Sequence, residues 1–188
     1  MDDQPTRLPN RVDDGPFVLR RWELDDAEAM AEAITDSIEH LRLFMGWIAH
    51  EPQMLEQRRA LIVGFNAGWM GGGDVVLAML LDGRVVGGTG LHRRGGANRL
   101  DIGYWVRSDS IGRGLAARAS RLLTSVAFGV PGVDTVEIHH DKANVHSRAV
   151  PEQLGFEFAG ETPEATTSPV SGIDCTWRMN RQRWQESG

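Results

Sequence analysis

Cysteine, lysine and tyrosine each occur once in these 188 residues, and each scarcity excludes some chemistry. The single cysteine, Cys175, has no partner for an internal disulfide, and no Cys/His cluster with metal-ligand spacing is present. His139 and His140 are adjacent on a stretch that reads as a strand, so their side chains face opposite sides of a sheet. Neither metal nor redox chemistry is expected. Nineteen of the 20 basic residues are arginine, which leaves Lys142, in a polar turn, as the one candidate for a Schiff base. The longest apolar run, Val75 to Leu81, has seven residues, where a membrane-spanning helix needs about 20. The start Met1, Asp2, Asp3 lacks the basic residues of a secretory signal. A cytoplasmic protein without a membrane partner is expected, and a net charge of −6 argues against nucleic acid as a partner.

What is present, 41% hydrophobic and 24% charged residues, suits one globular domain. Pro5, Pro9, Gly15 and Pro16 among polar residues predict a flexible arm over residues 1–16, followed by a single domain over 17–184 and a tail over 185–188. Phe17 to Arg21 reads as the first strand. Asp25 and Glu28 form a capping-box variant, and Ala27, Met30, Ala31, Ile34 and Ile38 share one helical face. A second helix is expected over Gln53 to Phe65, weakened by Gly64 and Gly68. Val75–Leu81 and Arg84–Leu91 flank Asp82 and Gly83, the dipeptide of tight hairpins, and Arg99–Val106 completes an antiparallel meander. Leu115, Ala119, Leu122 and Val126 mark a helix. Thr135–His140 reads as a strand, Val145–Leu154 as a short helix, and Phe156–Gly160 and Ile173–Met179 as strands separated by a flexible loop from Glu161 to Gly172. This order predicts an α/β fold: a mixed sheet, mostly antiparallel, with helices on its faces. A helical crossover makes strand 99–106 locally parallel to strand 135–140.

The most chemical segment is the glycine loop at Ile111 to Ala117, between a strand and an apolar-faced helix. Gly112 and Gly114 lack Cβ atoms, and the helix start offers unpaired N–H groups, a combination that binds phosphate oxygens. The competing interpretation is a turn that merely reverses the chain. Gly112, Gly114 and Ala117 also fit a loose dinucleotide fingerprint, with Glu137 about twenty residues on, which keeps an NAD(P)-binding oxidoreductase as an alternative. Against it, the loop follows an antiparallel meander and has a single crossover behind it.

Three segments carry a wider likeness: Asp101 to Val106; Gly112 to Ala116; and Asn144, Ser147 and Val150 running on to Leu154, Gly155 and Phe156. In order and spacing they resemble the GNAT superfamily of N-acetyltransferases, and within it the ribosomal-protein N-terminal acetyltransferase-like (RimJ/RimL-like) branch, over residues 17 to 184. The resemblance implies a GNAT-like fold with one splayed parallel strand pair, acetyl-CoA as cosubstrate, and an amine acceptor. It places the pyrophosphate on the loop formed by Ile111, Gly112, Arg113, Gly114, Leu115, Ala116 and Ala117. Ile111 stands where the family has Gln or Arg, and Arg113 supplies a nearby cation. The pantetheine arm runs beside Tyr104, Trp105 and Val106, and Asn144 bonds the cofactor.

Acetyl transfer to an amine needs a base, an oxyanion donor and a proton for the leaving thiolate. Asp101 occupies the strand position where relatives carry a catalytic Glu and would act through water; its competing role is a structural carboxylate paired with Arg99 or Arg93. His92 is an alternative base. The usual acid, a Tyr seven residues after the Asn, is replaced by Pro151, so Ser147 is the remaining donor to sulfur, or else only a helix cap. Tyr104 is assigned to packing. Pro151 also predicts a kink or early stop near Ala149 or Val150. By resemblance the acceptor lies near Glu39, His40, Phe44, Trp47 and the 161–172 loop. Asp36, Glu39 and Glu51 lean toward a cationic amine, and a homodimer is compatible with all of this. A non-catalytic coenzyme A binder is the second alternative.

Overall fold

The computed structural model describes residues 8–70, 72–164 and 169–186. Eight strands form one sheet in the order β1-β2-β3-β4-β5-β6-β8-β7. They are β1 (Arg11–Asp14), β2 (Phe17–Arg21), β3 (Val75–Leu81), β4 (Arg84–His92), β5 (Arg99–Val106), β6 (Thr135–Asp141), β7 (Glu157–Pro163) and β8 (Ile173–Asn180). Six helices accompany them: α1 (Ala27–Thr35), α2 (Ile38–Leu41), α3 (Leu55–Met70), α4 (Leu115–Phe128), α5 (Val145–Gln153) and α6 (Arg181–Glu186). Every pairing is antiparallel except β5 with β6.

Alternation along the strands feeds two cores. On one face Leu77, Met79, Leu100 and Ile102 pack with Leu115, Ala119 and Leu123 of α4; on the other Ala78, Leu80 and Val85 pack with Met30 and Ile34 of α1 and Ile62 of α3. On β5, Leu100, Ile102, Tyr104 and Val106 therefore face α4 and α5, whereas Asp101, Gly103 and Trp105 face the opposite side.

Four expectations need correction. Residues 11–14, placed in the flexible arm, form β1: Gly15 at φ +58° reverses the chain so that Asp14 pairs with Phe17, and Val12 packs on the core. An edge strand with one side to bury can be this polar. Helix α3 continues through Gly64 and Gly68 to Met70. β7 runs on to Pro163, into the expected loop, of which residues 165–168 lie outside the described residues. Residues 185 and 186, assigned to the tail, close α6. Residues 1–7 of the arm and 187–188 of the tail also lie outside the described residues.

The chain between α2 and α3, which carries Trp47, is anchored by an ion pair at 2.7 Å between Arg58 and Glu51, whose side chains are 2% and 4% exposed. Breaking one side of a buried pair leaves an uncompensated charge. Glu51→Gln is expected to cost about 3–5 kcal/mol, read as a lower denaturant midpoint.

Candidate active site

The feature that makes a site is a loss of pairing. β5 pairs with β4 along its length, from Asp101 opposite His92 to Val106 opposite Gly87. With β6 it pairs only from Arg99 opposite Thr135 to Ile102 opposite Ile138, after which β6 stays with β8 as far as Asp141. The sheet thus opens into a wedge between residues 103–106 and 139–141. The crossover connecting the two strands, α4, begins at the mouth of that wedge.

The loop before α4 has the backbone its glycines were expected to permit. Gly112 takes φ +77° and Gly114, the residue capping α4, φ +71°; a Cβ built on either would meet nothing within 4 Å. Glycine is needed there for backbone conformation, not for packing, and the space above the loop is open. The first turn-to-turn bond of α4 runs from the Arg118 N–H to the Gly114 carbonyl, so the amides of Leu115, Ala116 and Ala117 precede the helical ladder. Ile111 and Arg113 are exposed beside them.

Across the wedge, α5 begins at Asn144, whose Oδ1 accepts the Ser147 N–H at 3.1 Å. The Ser147 Oγ lies 2.8 Å from the Tyr104 hydroxyl, which also donates to the Ser147 carbonyl at 3.2 Å. That carbonyl is the one Pro151 cannot serve, because proline has no N–H. The expected early stop does not occur: α5 continues through Pro151 to Gln153, with Tyr104 in place of the missing donor. Burial, partly offset by the Ser147 bond, pushes the Tyr104 hydroxyl up to about 12, so it is a neutral phenol at any working pH.

The opposite face of β5 and β6 is ionic. Asp101 is 5% exposed, its Oδ1 is buried without a hydrogen bond, and the Arg99 Nε stands 3.8 Å away. Burial raises its pKa above the ordinary carboxylate value, more than His139 and Arg99 lower it. Asp101, Glu137 and His139 bring ligand atoms within 4.8 Å of one another. Glu137 is taken by Arg178 at 2.7 Å and Arg99 at 3.1 Å, and His139 by Asp174 at 2.8 Å. This mixed cluster is invisible to a search for Cys and His alone. His140 does face the other way, where its Nε2 accepts from the Trp177 indole at 2.9 Å. Farther along, Trp105 meets Trp47 edge-on at 6.1 Å, and a neighbouring His146 and burial together lower the His40 pKa, burial being the larger cause.

Residues 17–157 match the family model for the acetyltransferase (GNAT) domain. The chain is also 30% identical over 146 residues to the putative ribosomal N-acetyltransferase YdaF of Bacillus subtilis (strain 168), covering 77% of this chain and 80% of that protein. The chain belongs to the GNAT acetyltransferase family. Among solved structures, a probable acetyltransferase superposes with a TM-score of 0.81 at 25% identity, over 91% of this chain and 96% of the other. RimL, the ribosomal L7/L12 alpha-N-protein acetyltransferase, solved with coenzyme A, superposes with a TM-score of 0.82 at 15% identity, over 94% and 98% of the two chains. At that identity the likeness shows the fold alone.

In this GNAT chain the structure brings together Tyr104, Ser147 and Asn144 at the wedge and places Trp47 against Trp105. The Asn144 Oδ1 caps α5, which leaves its side-chain NH2 as a donor beside the wedge. Glu39 is exposed and paired with Arg42, away from any described site contact. The acidic residues used to infer a cationic acceptor each have an arginine partner, Asp36 in Arg107, Glu39 in Arg42 and Glu51 in Arg58, which leaves less uncompensated charge for such an acceptor. The dinucleotide alternative fails as well, since one parallel pair in eight strands provides no doubly wound half. Sequence reasoning missed the Tyr104 hydroxyl; the available signal was a lone Tyr on the strand face opposite Asp101.

Proposed function

We propose that this protein transfers the acetyl group of acetyl-CoA to a primary amine by direct attack, with a protein α-amino group as the favoured acceptor and a small cationic amine as the second. The observation that carries the reading is the wedge itself, with amides of the Ile111–Ala117 loop at its mouth and the Tyr104–Ser147 pair on its wall. The likeness to YdaF, named as a putative ribosomal N-acetyltransferase, favours a protein acceptor.

Acetyl-CoA supplies the activated acyl carbon; the chain's part is to hold it and move protons. The loop amides and Arg113 face the pyrophosphate, and the exposed side of residues 103–106 offers backbone to the pantetheine arm. Asp101, its pKa raised by burial, accepts through water the proton that leaves nitrogen as the C–N bond forms. With the Tyr104 proton donated to the Ser147 carbonyl, the Ser147 hydroxyl donates to the Tyr104 oxygen and supplies the proton that passes to the departing sulfur.

The test is a thermal-shift comparison of acetyl-CoA with NAD(H), followed by thiol release against α-amino peptides and small amines. Acetyl-CoA at a hundredfold excess over Kd is expected to add about 2.7 kcal/mol. Stabilisation without thiol release from any amine would favour the non-catalytic coenzyme A binder.

Two substitutions separate the roles of the wedge wall. Ser147→Ala is expected to lower turnover by about 10², the lower bound for lost proton-transfer catalysis, with little loss of stability. Tyr104→Phe should lower turnover too, and leave the Ser147 carbonyl without a donor at a cost of about 1–3 kcal/mol. Thiol-release rates and melting curves on both proteins check the pair.

A further inference from the structure

A histidine beside the wedge has no part in the chemistry above. His92 ends β4 directly opposite Asp101, and the alternation of the antiparallel pair puts both side chains on one face. Its ring lies over two glycines. A Cβ on Gly103 would come within 3.0 Å of the His92 Nε2, and one on Gly90 within 3.2 Å. Gly103 is the first residue of β5 beyond its last pair with β6, so Nε2 stands at the apex of the wedge.

The ring is held from behind. Asp74, just before β3, accepts from His92 Nδ1 at 2.8 Å through Oδ2 and from the Arg93 N–H at 2.9 Å through Oδ1. A carboxylate bound to Nδ1 fixes the tautomer with the proton on that nitrogen and leaves the Nε2 lone pair available. Among the described residues no hydrogen bond reaches Nε2, and the side chain retains 17% exposure. His139, the other histidine on this face, differs: both of its nitrogens are engaged, by Asp174 and Glu137.

We propose that His92 is a general base that removes the first proton from the acceptor's ammonium group, with Asp74 as its positioning residue. The inference rests on the reading of the protein as an amine acetyltransferase. An ammonium nitrogen has no lone pair and must lose two protons on its way to an amide. The first passes to His92 Nε2, freeing the pair that attacks the acyl carbon. As the C–N bond forms and the C–S bond breaks, the second leaves nitrogen for Asp101 while Ser147 protonates sulfur. Of the two protons taken from nitrogen, one restores Ser147 and one goes to solvent. An imidazole with a free Nε2 lone pair and a carboxylate behind Nδ1 suits the first step, the arrangement in which histidine most often serves as a general base. The charged groups around it are Asp74, Asp101 across the pair, and Arg93 and Arg94 at the end of the strand.

The experiment uses the full chain, saturating acetyl-CoA and a peptide with a free α-amino group, measuring kcat/KM at pH 6.5, where the amine is protonated, and at pH 9.5, where it is neutral. His92→Gln is expected to lose about 10² or more at the lower pH and to return to within about threefold of the parent at the higher one. Asp74→Asn should show the same pattern at about tenfold, and carries the test if His92→Gln does not fold. Asp101→Asn should be depressed at both. Variants at 92 and 74 that match the parent at pH 6.5, or are equally low at both pH values while keeping the acetyl-CoA thermal shift, would overturn the proposal. A parent protein that acetylates no amine overturns the functional reading first, and this inference with it.

Discussion

Asp101→Asn is expected to lower turnover by about 10²–10⁴ while leaving acetyl-CoA binding intact, the range for a lost general base. Two properties of the site make the test decisive. Burial raises the Asp101 pKa above its ordinary value, despite His139 and Arg99 pulling the other way, so the carboxylate's part of the acid limb of kcat should lie above that ordinary value and be lost in the variant, which keeps the part due to His92. The sign for stability follows from the same shift. A carboxyl whose folded pKa is raised contributes stability below the unfolded value, about 3.9, and loses it as pH rises through the folded one. At neutral pH the charged Asp101 is therefore a burden on the fold, and asparagine should leave the melting temperature unchanged or higher. A structural carboxylate paired with Arg99 predicts the reverse: lost stability and near-normal rates. Melting curves and pH–rate profiles on the same preparation separate the two.

The parts of this molecule that were legible in the sequence are those whose causes are local. Asp82 and Gly83 announce the β3–β4 hairpin because both adopt positive φ, +50° and +77°, which the turn requires. The parallel β5–β6 pair follows from the crossover through α4, and the glycine loop from residues that favour left-handed backbone. What stayed hidden depends on residues far apart in the chain. Pro151 argues locally against a continuous α5, yet the hydroxyl of Tyr104, 43 residues before Ser147, bonds the carbonyl that the proline leaves free. The same contact makes Tyr104 part of the wedge instead of packing alone. Asp74 and His92 are 18 residues apart and meet only because β3 and β4 pair. The charges of Asp36 and Glu51 looked available for an acceptor, but Arg107 and Arg58 reach them from elsewhere in the fold.

Gly114→Val is expected to abolish stabilisation by acetyl-CoA, and the structure supplies the control that makes this a statement about the ligand. Gly114 sits at φ +71°, where a side chain costs about 1–3 kcal/mol of backbone strain, so some loss of stability is expected whatever the loop binds. Gly132, in the turn between α4 and β6, sits at φ +78°, and like Gly114 has nothing within 4 Å of a built Cβ. Valine at either position meets the same strain and no neighbour. If the loop amides close on the pyrophosphate, Gly132→Val should keep the full acetyl-CoA shift, about 2.7 kcal/mol at a hundredfold excess over Kd, and Gly114→Val should lose it. Each variant should melt a few degrees lower without ligand, by about 2–4 °C per kcal/mol for a chain of this size. A folded Gly114→Val protein that retains the shift would remove the loop from the binding site and leave the wedge wall, with Tyr104 and Ser147, to account for the cosubstrate.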